Sequence, residues 1–241
     1  MKIGVVGVGA VGETCAHGLV ASNVATELVL LNRTIKTAVA IELDLRQARA
    51  WRGNLLTESG PLIPLDPVVG CDLLVLAVGP RLWGEQARAD IALESAKILM
   101  GSGLVEELGR LRDALPPILV VTNPVEPMVT WLWERTGISP SRLFGLGTTV
   151  DSARFSMHVA NRLDVDARSA WTTLVGEHGP GVLIAGSGQL AGVVERAALT
   201  RHEATAELLT KNDARRVRNL TEEAAGDSAT GLLEMVEKSL G

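Results

Sequence analysis

The stretch Lys2-Ile3-Gly4-Val5-Val6-Gly7-Val8-Gly9-Ala10-Val11-Gly12 decides how the rest of the chain is read. Residues 2–6 form a short β-branched run that predicts a strand, and the stretch from about Gly12 to Ser22 predicts a helix. Between them Gly7, Gly9 and Gly12 fall into the pattern G-x-G-x-x-G. In that context each glycine has its own physical task. The first allows a tight turn, the second lets the backbone approach a pyrophosphate, and the third permits close helix–strand packing, with the diphosphate at the helix N-terminus. Gly7, Gly9, Ala10, Val11 and Gly12 are therefore candidate cofactor-binding residues.

Working outward, residues 27–31 read as a second strand and Ile41 to Arg52 as a helix. Asp72-Leu73-Leu74-Val75-Leu76-Ala77-Val78 is a continuous apolar run, as expected of a parallel strand covered on both faces. Residues 87–114 are helical in pattern, interrupted at Gly101-Ser102-Gly103, and Ile118-Leu119-Val120-Val121-Thr122 is another buried strand that Pro124 stops. Strands alternating with helices predict an α/β fold, a Rossmann-type doubly wound parallel sheet. A boundary near Gly147 separates a dinucleotide-binding domain, residues 1–147, from residues 148–241, which read as two or three helices with little strand signal after residue 176.

Composition narrows the function. The chain has 241 residues, 46% hydrophobic and 21% charged, which describes an ordinary globular protein with ample core. A formal net charge of −5 argues against a nucleic-acid binder, so an anionic ligand has to be held by locally placed arginines. Cys15 and Cys71 have no paired spacing, so neither a disulfide framework nor a metal site is indicated, which fits a reducing cytoplasm. The N-terminus reads as a strand rather than a signal peptide, and no apolar run approaches the ~20 residues that span a bilayer.

At the end of the second strand stands Leu30-Leu31-Asn32-Arg33-Thr34. An acidic residue there would accept hydrogen bonds from the ribose hydroxyls of NAD. Asn32 carries no charge to repel a 2′-phosphate, and Arg33 offers it a planar, permanently charged fork. Asn32, Arg33 and Thr34 thus favour NADP(H) over NAD(H), and the trio resembles the adenosine end of NADP-dependent β-hydroxyacid dehydrogenases.

Further on come Asn123-Pro124-Val125, then Gly147-Thr148-Thr149-Val150-Asp151-Ser152-Ala153-Arg154-Phe155, then Gly176-Glu177-His178-Gly179. With the glycine turn, this succession resembles the lactate/malate dehydrogenase family from Met1 to about Ser187. The resemblance implies that His178 protonates a carbonyl oxygen, a task suited to a side chain whose pKa lies near working pH. It implies that Asp151 accepts the other ring N–H and that Arg154 grips a substrate carboxylate bidentately. It further implies that Asn123, at a strand end, bridges nicotinamide and substrate. The stretch from Gly79 to Asp90 resembles the loop that closes over the substrate, with Gly79 beside the cofactor. Relative to the family pattern one residue is inserted there, since Arg88 stands seven positions after Arg81 instead of six. Arg88 precedes the expected helix start and is assigned to polarise the carbonyl, with Arg81 as a second carboxylate ligand.

Departures from the family pattern lie toward the C-terminus. Pro180-Gly181-Val182 follows Gly179 where the family has Asp and a small hydroxyl residue, and Thr230 takes the place of the family's substrate-contacting threonine. The chain stops at Gly241, so the resemblance implies a shortened, helix-rich second domain. Apolar helices after residue 188 are then expected to pack on a neighbouring subunit, giving a homodimer or larger homo-oligomer with more room below His178.

The expected activity is that of an NAD(P)-dependent 2-hydroxyacid dehydrogenase, running as a 2-oxoacid reductase with NADPH. A malate-like dicarboxylate is the first substrate expected. The alternatives are a larger or carrier-tethered 2-oxoacyl substrate, or a non-catalytic NAD(P)-binding subunit. No nucleic-acid or membrane partner is expected.

Overall fold

The computed structural model of the chain describes residues 1–80, 88–176 and 182–190. They fall into two compact units, Met1–Gly145 and the residues from Leu146 onward. In the first unit, β1 (Lys2–Val6), α1 (Ala10–Ala21), β2 (Glu27–Asn32), α2 (Ile35–Arg49) and β3 (Leu56–Pro61) form one half of a doubly wound sheet. The other half contains β4 (Leu73–Leu76), α3 (Arg88–Gly101), α4 (Leu104–Arg110), β5 (Ile118–Val120), α5 (Val125–Thr136) and β6 (Leu143–Gly145). The strand order is β3-β2-β1-β4-β5-β6, and every pairing in it is parallel.

Alternation along each strand explains why this sheet is covered on both faces. In β2, Leu28 and Leu30 join a core with Ile3, Val5, Ile41 and Leu45. Val29 and Leu31 point the other way, into a core with Leu74, Leu76, Leu99 and Trp131. A strand that is apolar at every position can be satisfied only between two helical layers. β1 lies in the middle, with Ile3 registered against Leu28 on one side and Leu73 on the other.

Two strands of the sheet were not expected. β3 is an edge strand whose Thr57 and Ser59 hydroxyls donate to the Glu42 carboxylate of α2, the Thr57 bond measuring 2.7 Å. Its contact with α2 is polar, so it lacks the apolar signature of the inner strands. β6 is only three residues long. α2 also starts at Ile35 rather than Ile41, because Ile35 and Val39 face outward and blur the helical period.

The second unit contains α6 (Thr149–Leu163), β7 (Ala170–Gly176) and β8 (Val182–Leu190). β7 and β8 pair antiparallel, with Gly176 opposite Val182. This corrects the expectation of little strand after residue 176. The run Val182-Leu183-Ile184-Ala185-Gly186-Ser187-Gly188 dilutes its β-branched residues with glycine, which weakens the strand pattern. The helices expected after residue 190 lie outside the described residues. Among the described residues, no helix is long and apolar enough to cross a membrane.

Far from the strand ends that carry the glycine turn, Arg49 closes α2. Its side chain is buried, and Nη1 donates to the carbonyl oxygens of Val20 at 3.3 Å and Ala25 at 3.5 Å. α1 has no basic residue in its own last turn, so this guanidinium supplies the positive charge that its C-terminus favours. Arg49→Met keeps the apolar stem and removes the charge, taking the side-chain donor from Ala25 O and leaving Val20 O to the Asn23 N–H. We expect a loss of about 1–3 kcal/mol in stability by denaturant titration, with ligand binding at the opposite edge unchanged.

Candidate functional site

A parallel sheet turns all its C-terminal strand ends toward one edge. Here the chain winds from β1 to β3 in one direction and from β4 to β6 in the other. The crevice where the order reverses is where open α/β sheets bind ligands. The loops after β1, β2, β4 and β5 meet there around two cavities. One, of about 460 Å³, is lined by Gly7, Gly9, Asn32, Arg33, Thr34 and Thr37, among others. The other, of about 620 Å³, includes Ala10, Val11, Ile91, Ser95, Thr122 and Asn123. Gly9, Ala77, Gly79 and Pro80 line both, so the two form one groove that passes the glycine turn.

The three glycines of the turn are required for different reasons. Gly7 has φ +93°, a left-handed conformation that favours glycine, and a Cβ there would sit 2.8 Å from the Ala77 backbone. A Cβ on Gly12 would lie 2.1 Å from the Gly7 carbonyl oxygen, so α1 can pack this closely only with glycine. Gly9 differs. Its φ of −87° and ψ of −162° suit any residue, and no protein atom lies within 4 Å of where its Cβ would be. The protein's own packing does not demand glycine at position 9, whereas a ligand lying against the backbone would.

Gly9 is also the N-cap of α1 and offers no side-chain cap. The first N–H groups of a helix have no intrahelical acceptor, so those of Ala10, Val11 and Gly12 suit an anion. Their carrier is fixed in place, since the Gly7 N–H donates to Leu31 O at 2.8 Å and the Glu13 N–H to Gly9 O at 2.8 Å. These features fit a dinucleotide diphosphate. At the β2 end, the Asn32 amide donates to Thr34 O at 3.3 Å while Arg33 and Thr34 are exposed at the cavity. Beyond β5, Asn123 is exposed and its carbonyl accepts a 2.9 Å bond from the Ser95 hydroxyl. The Thr122 hydroxyl donates to Val78 O at 2.8 Å.

In the second unit, the first turn of α6 is fastened to β7. The Thr148 hydroxyl donates to Leu174 O at 2.7 Å, and the Leu174 N–H donates to the Ser152 hydroxyl at 2.9 Å. Asp151, between them, is 5% exposed, and Arg154 Nη1 stands 3.4 Å from its Oδ1. The Arg154 side chain is 67% exposed, so most of its fork remains available to a carboxylate. Burial pushes the Cys15 thiol of α1 above its ordinary pKa, away from a reactive thiolate.

The groove thus collects Gly7, Gly9, Ala10, Val11, Asn32, Arg33, Thr34, Gly79 and Asn123, with Gly12 beneath the turn. Asp151 and Arg154 share one face of α6. Arg88 is the first residue of α3. Arg81, His178 and Thr230 lie outside the described residues. Sequence reading missed Thr37, Ser95, Thr122, Thr148 and Ser152. Thr37, one helical turn past Thr34, was the only one with a positional clue.

The family model described as lactate/malate dehydrogenase, NAD binding domain, matches residues 1–145. An L-lactate dehydrogenase of Lactococcus lactis subsp. cremoris is 30% identical over 179 residues, covering 74% of this chain and 55% of the relative. That of Thermus aquaticus is 32% identical over 196 residues, 80% of this chain and 61% of its own. The chain therefore spans little more than half the length of these relatives. Among solved structures, the minor L-lactate dehydrogenase from Enterococcus mundtii, in a ligand-bound form, superimposes with a TM-score of 0.73 at 27% identity, covering 98% of this chain and 75% of that one. The malate dehydrogenase of Plasmodium falciparum, at 16% identity, shares the fold with a TM-score of 0.76 over 100% of this chain and 72% of its own.

The glycines give a paired prediction. Gly12→Ala forces backbone apart and should cost about 1–3 kcal/mol or more, read as a lower melting temperature. Gly9→Ala should melt much closer to the wild type than Gly12→Ala, losing only the modest preference of an N-cap for glycine over alanine, yet lose dinucleotide affinity in a calorimetric titration. Equal melting losses in both variants would contradict this assignment.

Proposed function

The chain belongs to the lactate/malate dehydrogenase family, and on that premise we propose that it is a nicotinamide-dependent oxidoreductase interconverting a 2-hydroxy acid and its 2-oxo acid. The observation that carries the reading is the groove at the strand reversal, open above Gly9 and at the N-terminus of α1. When bound there, the nicotinamide cofactor supplies or accepts the hydride. Residues 1–147 hold the dinucleotide and residues 148–241 supply the chemistry.

The N–H groups of Ala10, Val11 and Gly12 face the diphosphate, and Asn123 holds the nicotinamide end. Asn32 and Arg33 favour NADP(H) over NAD(H). Support comes from the uncharged amide at the strand end and the exposed guanidinium beside it, both at the same cavity. His178 gives a proton to the substrate carbonyl oxygen during reduction and takes one from the hydroxyl during oxidation. Asp151 orients the ring and favours its charged form by Coulomb attraction; its burial in the first turn of α6 makes it a fixed partner for that purpose. Arg154 clamps the carboxylate next to the reacting carbon, and Arg88 polarises the carbonyl. Arg81 would take a second carboxylate, and Thr230 would contact the substrate, which points to a malate-like dicarboxylate. A cytoplasmic homo-oligomer completes the reading.

Direct titration should give tighter binding of NADPH than of NADH, and Asn32→Asp should reverse the order by repelling the 2′-phosphate. Tighter NADH binding by the wild type would refute the reading of residues 32–34. With a panel of 2-oxoacids, His178→Asn should lower turnover by roughly 10²–10⁴-fold with cofactor affinity nearly intact. Arg154→Leu should instead raise KM as well as lower kcat, because it removes a charge-assisted bidentate contact. Unchanged turnover in the histidine variant would remove it from the chemistry.

A further inference from the structure

We propose that Ser95 is a positioning residue for the nicotinamide end of the groove, acting through the backbone of Asn123; the inference rests on the cofactor reading above. Ser95 lies within α3 and is 0% exposed. A serine inside a helix commonly returns its hydroxyl to the carbonyl one turn back. This one instead crosses to Asn123 O, 2.9 Å away and 28 positions along the chain. Its oxygen also lies 3.8 Å from the point where a side chain on Gly79 would begin. One buried hydroxyl therefore sits under both loops that border the larger cavity.

Bonding to the Asn123 carbonyl has a particular effect at this position. The next residue is Pro124, which has no N–H, so the peptide group joining the two residues can be held only through its oxygen. Fixing that oxygen fixes the peptide plane, and with it the direction in which the Asn123 side chain leaves the backbone. Asn123 is exposed at the cavity, so its amide is aimed by a bond to its own main-chain carbonyl. The Thr122 hydroxyl, bonded to Val78 O at 2.8 Å, ties the same segment to the loop just past β4. Ser95 adds the anchor to α3, the helix that begins at Arg88.

The test uses NADPH, whose nicotinamide emission reports its surroundings, and adenosine 2′,5′-bisphosphate, which lacks the nicotinamide. Ser95→Ala should weaken NADPH by about fivefold and diminish the change in nicotinamide emission on binding. Bisphosphate affinity should match the wild type, and Ser95→Thr, which keeps the hydroxyl, should restore the NADPH signal. In an Asn123→Ala background, Ser95→Ala should add nothing further to the loss, since the two act as one unit. Should the alanine variant not accumulate, the nearly isosteric Ser95→Cys, a weaker donor, is read in the same way. Equal losses for NADPH and the bisphosphate, an unchanged NADPH signal, or full additivity with Asn123→Ala would each overturn the proposal. A wild type that binds neither ligand would overturn the cofactor reading itself, and the proposal with it.

Discussion

The close approach of α1 to the turn that introduces it is the constraint on which the first unit depends. A single added carbon at position 12 would stand 2.1 Å from the Gly7 carbonyl oxygen. That proximity keeps the helix start beside the strand end, so the unpaired N–H groups of its first turn open into the groove rather than into bulk water. The Gly7 N–H bonded to Leu31 O holds the turn against the end of β2, where Asn32 and Arg33 stand. Glycine turn, ribose end and switch point are thus parts of one packing solution. The covered faces of the sheet make that solution rigid.

How much of this the sequence discloses follows from burial. β1, β2, β4 and β5 were legible because inner parallel strands are apolar at nearly every position, and the glycine pattern between β1 and α1 has few other physical readings. β3 escaped because an edge strand can satisfy its Thr57 and Ser59 with a carboxylate instead of a core. The true start of α2 was hidden because Ile35, Val39 and Leu43 face outward at four-residue spacing while Ala38, Ile41 and Leu45 face the core. Two apolar stripes on one helix cancel the period that would mark either. For the site, glycines, amides and charges could be named from their motifs. Ser95 and Thr122 could not, because a hydroxyl gives no sign in sequence of which distant carbonyl it will reach.

The two units use the same small device for different ends. In the first, Ser95 and Thr122 fasten the backbone of loops that border a cavity. In the second, Thr148 and Ser152 fasten the first turn of α6 to Leu174 of β7, on either side of buried Asp151. Short side chains suit this work because fixing them costs little rotamer entropy compared with a lysine or glutamate. Longer polar groups at these points would place their charge where the helix and strand must meet.

The central place of β1 has a consequence for how the chain is made. Its neighbour β2 follows at once, but its other neighbour, β4, arrives only with Leu73 to Leu76, after β3 and its connections have been made. During synthesis β1 leaves the ribosome well before β4, and until then it waits with one row of N–H and C=O groups paired only with water. Non-local parallel pairing of this kind is intrinsically slow, and an unpaired strand edge invites the wrong partner. The strand that leads into the glycine turn is thus made before β2 yet enclosed only after it, and the nascent chain is exposed to mispairing in that interval.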